Sequence, residues 1–129
     1  MMKISILITT LLVGVTSAGL HAETVNDVQN TYRTQGAGPF EFDRGEKLWN
    51  SRQFEERQCA DCHTADLTQP GRHKRTNKYI DAMAPSVTPE RYTDLKKVEK
   101  WFKRNCKWTW GRECTAREKG DLLEYLKQL

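Results

Sequence analysis

Cys59 and Cys62 are separated by two residues in CADCH, residues 59–63, and His63 follows the second directly. Two thiols at this spacing can add across the two vinyl groups of a haem, and the adjoining imidazole is then placed to ligate the iron. On this reading Cys59 and Cys62 carry one covalent haem c and His63 is its proximal axial ligand. Two other chemistries draw on the same residues: a redox CxxC, and part of a zinc site shared with Cys106 and Cys114. The redox motif belongs in an α/β pattern, which this chain lacks. The zinc site leaves His63 unexplained, whereas haem attachment uses all three residues.

A second axial position then needs a candidate. Beyond residue 22, His73 is the only other histidine and Met83 the only methionine. Met83 lies in a proline-flanked loop, twenty residues after His63. As a ligand it would make an ordinary electron carrier of raised potential; as a packing residue its thioether would lie against the haem edge. His73 sits in GRHKR, where burial would strand the neighbouring cations. Asn105 falls seven residues after Val98 and three after Phe102, on the apolar face of a helix near its C-terminal end,. A polar amide there must find a partner or water. On spacing alone, an asparagine that caps the end of its helix is the plainer alternative.

Helices must hold these groups. Val25, Val28 and Tyr32 have helical spacing, and the loop TQGAGPFEF follows. Asp43 has the position of an N-cap for DRGEKLWNSRQFEER, with Glu46 at the capping-box position and Leu48 and Trp49 opening the apolar face. Residues 65–89 read as loop, holding three of the four prolines,. YTDLKKVEKWFKRN is amphipathic, with Leu95, Val98, Trp101 and Phe102 on one face. Thr115 and Glu118 can close a capping box for the last helix, whose apolar stripe is Leu122, Leu123, Leu126 and Leu129. No segment alternates with a two-residue period, so the domain reads as all-α.

The chain opens with a lysine, an apolar run from Ile4 to Val15, and then small residues. This is the pattern of a secretory signal peptide, residues 1–22, cleaved after Ala22 or, second best, after Ala18. The run is too short for a transmembrane anchor, which leaves residues 23–129 as one soluble periplasmic monohaem cytochrome c domain with no stable membrane insertion. The formal charge of +4 is too slight, and too mixed with acids, to mark a nucleic-acid binder. Chains this short bury a modest core, so a covalent anchor contributes substantially.

DRGEKLW and the leucine-rich last helix resemble the first and last helices of class I cytochromes c. A close crossing of the two would explain Gly45 and Gly120. The resemblance narrows further through RTNK, APS, TPERYTD, VEKW, RNC and GREC, which occur here in the family order of the sphaeroides haem proteins. The likeness runs from about Asp43 to Leu129, with a gap of one or two residues around Arg72. Those are small, class I-like monohaem cytochromes c that bind oxygen. The resemblance implies a haem in a cleft, His63 proximal, Asn105 on the distal side of the iron, and a disulfide between Cys106 and Cys114. Export favours that pairing.

A neutral amide holds ferric iron better than ferrous iron. The resemblance therefore implies electron transfer combined with redox-gated binding of O2, NO or CO through a displaceable Asn105. The alternative is an ordinary His/Met cytochrome with Met83 as sixth ligand. Oxygen reduction and nitric oxide dioxygenation both suit a reducible open haem. The resemblance also implies that a dihaem cytochrome c supplies electrons, and a monomer is expected. The cations Lys96, Lys97, Lys100, Lys103, Arg104 and Lys107 either steer an acidic partner or form the solvated face of an amphipathic helix. Two features depart from the family pattern. Met83 replaces a residue that is commonly aliphatic, and Lys107, Trp108, Thr109 and Trp110 are bulkier than the small apolar residues expected between the late cysteines. The tryptophans would narrow ligand access or pack over the porphyrin.

Overall fold

The computed structural model describes residues 23–129; the expected signal peptide lies outside the described residues. Five helices form the body: α1 (Val25–Arg33), α2 (Phe42–Asn50), the single-turn α3 (Ala60–His63), α4 (Leu95–Trp110) and α5 (Ala116–Leu126). A 3₁₀ turn, Phe54–Glu56, lies between α2 and α3. Among the described residues no helix is long and apolar enough to cross a membrane.

α1 begins at Thr24, whose side chain and Asp27 form a reciprocal capping box,. Val28 and Tyr32 are buried, as their spacing predicts, and Gln29 is buried with them. The Gln29 amide donates to the Gly120 carbonyl at 3.0 Å and to Glu124 at 3.0 Å, while its oxygen accepts from Lys127. α1 is thereby bound to α5 through polar as well as apolar contacts.

α2 corrects the boundary read from sequence. Its N-cap is Glu41, not Asp43, which lies in the first turn, and the helix stops at Asn50 instead of running on to Arg57. The physical cause is tertiary. Phe42 packs edge-on against Tyr125 of α5 at 5.1 Å, which draws the helix start forward. The Glu41 N–H donates to the Asp121 carboxylate on α5 at 2.8 Å, so a distant carboxylate takes the part that the N3 side chain plays in a capping box.

The expected crossing of the first and last helices of the cytochrome-like core is present as the packing of α2 on α5. A Cβ at Gly45 would run into the backbone carbonyl of Asp121, so only glycine permits this approach,. Gly120 serves a different purpose from the one expected. It makes room for the Phe40 ring, in the segment before α2. Asp121, 2% exposed, also accepts from Arg44 Nε at 2.8 Å and Nη2 at 2.9 Å. Its charge is paired and its lone pairs are used, which is the condition for burying a carboxylate.

α5 starts at Thr115 with the predicted Glu118 capping box. Leu122, Leu123 and Leu126 are buried; Leu129 lies beyond the helix and is only partly buried. α4 runs five residues past Asn105, the end of the segment read from sequence, to Trp110. Val98, Phe102, Cys106 and Trp110 recur at four-residue spacing, and three of them are buried while Phe102 is packed against the core. The buried face is thus rotated away from Trp101, which is 50% exposed. The segment read as loop also contains a short antiparallel pair, β1 (Gly71–Arg72) with β2 (Tyr79–Ile80), in register Gly71 to Ile80. Strands of two residues are too short to show periodicity.

Candidate haem and axial-ligand site

The residues before the motif are pinned to α4. Arg57 stacks on the Trp108 ring with its guanidinium carbon 4.7 Å from the centroid, and its Nη1 donates to the Trp108 carbonyl at 3.1 Å. Glu55 and Glu56 turn the chain here with positive φ, 50° and 55°. The motif then forms the single turn α3, against which β1 packs.

Cys59 packs against the main buried cluster, which includes Cys106, Trp110 and Met83. Burial pushes its thiol pKa up to about 12, and a side-chain hydrogen bond with Thr109 of α4 opposes that rise. The thiol is protonated at neutral pH, the reverse of a redox-active CxxC. Cys62 Sγ accepts from the Lys74 N–H at 3.4 Å. The His63 ring lies 5.5 Å from that of Trp49. Burial, with Arg91 and His73 acting in the same sense, lowers the His63 pKa to about 4. His63 is therefore neutral at pH 7, the form that ligates a metal. Its Nδ1 is buried without a hydrogen-bond partner among the described residues.

This donor set fits the haem expected from sequence: two free thiols, a neutral imidazole beside them, and an orphaned ring nitrogen. It does not fit the zinc alternative, because Cys106 and Cys114 are joined in a disulfide, with Cα atoms 5.7 Å apart.

The candidates for the second axial position have different surroundings. His73 is tied into the β1–β2 turn: its N–H donates to Lys78 O, its carbonyl accepts from Asn77, and its Nδ1 accepts from Thr76 N–H at 3.2 Å. Met83 is 8% exposed. Its N–H donates to Leu67 O at 3.0 Å and its carbonyl accepts from Tyr92 Oη at 2.8 Å. Asn105 is exposed in the middle of α4, so it lies neither on the buried face where its spacing put it nor at the helix end as a cap. It follows Trp101 by four residues and precedes the disulfide-bonded Cys106. Thr109, 3% exposed, is the next residue along the Asn105 stripe, one turn on.

Two further bonds fix α4. Tyr32 Oη donates to Glu99 Oε1 at 2.6 Å, and Lys119 Nζ donates to Glu99 Oε2 at 2.7 Å, joining α1, α4 and α5. Sequence reasoning missed Thr109 as a neighbour of Cys59, although its four-residue offset from Asn105 was available as a signal. Arg57 and Trp49 gave no such signal, because their contacts with Trp108 and His63 depend on tertiary packing. Trp110 is 6% exposed and belongs to the core, so of the two late tryptophans only Trp108 is partly exposed.

Residues 35–126 match a family model described as a domain of unknown function, DUF1924. The chain is 43% identical over 99 residues to the cytochrome c-type protein SHP of Cereibacter sphaeroides, covering 74% of this chain and 76% of that protein. Its fold is similar to the structure of oxidised SHP, described as an oxygen-binding cytochrome c. That match has a TM-score of 0.78 and 38% identity, and covers 84% of this chain and all of the other. It is also similar to the solution structure of cytochrome c'' from Methylophilus methylotrophus, which concerns haem-ligand detachment. There the TM-score is 0.65 and the identity 28%, over 79% of this chain and 90% of the other. With this identity, this coverage and the shared fold, the chain belongs to the SHP family of cytochromes c.

Proposed function

We propose that this protein is an exported, periplasmic monohaem cytochrome c that binds small diatomic ligands, O2, NO or CO, under redox control. Cys59 and Cys62 would hold the haem covalently and His63 would be its proximal ligand. When bound, the haem supplies a one-electron couple and an iron able to take an axial ligand.

Asn105 occupies the distal side in the oxidised protein and withdraws on reduction. The register of α4 carries this reading. Thr109 meets the Cys59 thiol, and Asn105 is one turn earlier on the same stripe, about 6 Å along the helix axis. Its exposed amide makes no hydrogen bond among the described residues and can move without breaking one. Freed, the carboxamide N–H2 can donate to a diatomic ligand. The disulfide at Cys106 holds the adjoining backbone while the side chain moves. The two relatives agree with this reading, one described as oxygen-binding and the other studied for haem-ligand detachment.

Met83 carries the second reading, a His/Met electron carrier, because it shares the buried cluster against which Cys59 packs. Both of its main-chain polar groups are bonded, which suits a packing residue equally well. An acidic dihaem cytochrome c is the proposed electron donor. Lys96, Lys97, Lys100, Lys103 and Arg104 are exposed on α4 and would raise its association rate at low salt.

Absorption spectra of the ferric, ferrous and CO-treated protein test the assignment. The ferric form should be low-spin or a spin mixture, and the ferrous form high-spin and able to take up CO. Asn105→Ala should change the ferric spectrum, and Met83→Leu should leave it nearly unchanged. The reverse pattern would establish the His/Met carrier.

A further inference from the structure

Trp101, Asn105 and Trp108 occupy positions i, i+4 and i+7 of α4 and so form one stripe along the helix. The two indoles flank the amide, but they are held very differently. Trp108 is fixed from outside its own helix, by the Arg57 guanidinium at 4.7 Å and by the Arg57 hydrogen bond to its carbonyl. Arg57 itself is ion-paired with Glu55. Trp101 is 50% exposed. Its ring is met by two cations of its own helix, Lys100 Nζ at 5.8 Å and Arg104 Cζ at 5.5 Å. Neither cation is in an ion pair among the described residues, so both can follow the ring if it turns.

We propose that these indoles are the two walls of the distal ligand entrance, Trp108 the fixed wall and Trp101 the movable one. This rests on the reading of Asn105 as the distal residue. Rotamer changes of exposed side chains take picoseconds to nanoseconds, much faster than ligand arrival. Trp101 therefore acts as a size filter and not as a slow latch. A diatomic passes a partly turned ring, whereas a longer ligand requires the ring to leave the entrance. The selected class is small and linear, and the selecting group is the bulk of residue 101.

The test uses the haem-loaded ferrous protein, with carbon monoxide and n-butyl isocyanide as probes and association followed by flash photolysis. Trp101→Ala should raise the isocyanide rate by about tenfold or more, ~1.4 kcal/mol of barrier, and the carbon monoxide rate by much less. Trp101→Phe should fall between wild type and Trp101→Ala. The ferric spectrum should match wild type in both variants, since neither removes Asn105. A protein that binds carbon monoxide with both probe rates unchanged in Trp101→Ala overturns the filter alone. Unchanged rates combined with a lost salt dependence of reduction by an acidic donor assign Trp101 to a protein contact and likewise overturn it. A ferrous wild-type protein that takes up no carbon monoxide overturns the functional reading, and the filter with it.

Discussion

At the crossing of α2 and α5 the chain supplies its own partners. The Asp121 carboxylate takes bonds from Glu41 and Arg44, Gln29 is bonded at both ends of its amide, and Gly45 lets the two backbones touch. Around the CADCH motif the accounting differs. Trp49 Nε1, Trp110 Nε1 and His63 Nδ1 are buried without hydrogen-bond partners, and Asn105 and Trp101 face outward from α4. An unsatisfied buried donor costs about 1–3 kcal/mol, a cost that the bonded groups of Asp121 and Gln29 avoid. The scaffold is thus complete as polypeptide, while the site has polar groups and surface still available to a ligand. A group bound only by the folded state would raise its stability, so the two regions should respond differently to substitution.

The largest effect should come from removing the haem anchors. Cys59→Ala with Cys62→Ala should abolish covalent haem, scored by haem stain and intact mass, and most of the folded yield with it. Normal recovery of a folded, haem-free double variant would contradict both the cytochrome reading and the dependence of the site on its ligand. Next is the closed region: Leu123, 0% exposed, should cost about 2–5 kcal/mol on Leu123→Ala in denaturant unfolding. Replacing Cys106 and Cys114 with alanine together should cost about 2–3 kcal/mol, the loop-closure contribution of a short disulfide. A loss under 1 kcal/mol would show the α4 turn to be rigid without it.

A pH dependence sharpens the comparison further. Burial pushes the Glu99 carboxyl upward, but Lys119 and Tyr32 outweigh it and hold its pKa below the ordinary 4.5. A depressed carboxylate contributes stability above the unfolded value and loses it as pH falls through the folded one. Wild-type stability should therefore fall more steeply below pH 4.5 than that of Glu99→Gln, and equal slopes would remove Glu99 from the account. The smallest stability effect belongs to Asn105→Ala, within about 0.5 kcal/mol of wild type as befits an exposed position, while the ferric spectrum changes. That pairing of a small stability effect with a large spectral one separates a site residue from a scaffold residue.

Much of this was legible in the sequence because it is local. Thr115 and Glu118 form their capping box within one turn, Val28 and Tyr32 follow one helical period, and the CADCH spacing is a short-range chemical pattern. What sequence reading misplaced depends on distant partners. Asp43 looked like a cap, but the N-cap position is Glu41, whose N–H is met by Asp121, 80 residues along the chain. Trp101 looked buried because period alone cannot distinguish adjacent stripes of a helix, and packing chose the stripe through Phe102 and Cys106. Asn105 was expected on the apolar face near a helix end, but it lies exposed in mid-helix, because α4 continues to Trp110 and buries the stripe through Phe102 and Cys106 instead. Thr109 could be placed on the Asn105 stripe by spacing, but its contact with Cys59 exists only once α3 and α4 are packed.

The four cysteines share one small domain in two states, one pair bridged and the other free. Cys59 packs against the cluster that holds Cys106 and Cys114, so an oxidising compartment offers several wrong pairings. Cys106 and Cys114 are eight residues apart and are bridged in the folded chain. Once α3 and α4 meet, the Cys59 thiol, with its pKa near 12, presents almost no thiolate, and thiol–disulfide exchange requires thiolate. The same burial that packs the site thus acts as a kinetic safeguard. It shields Cys59 from exchange with the Cys106–Cys114 bridge packed near it.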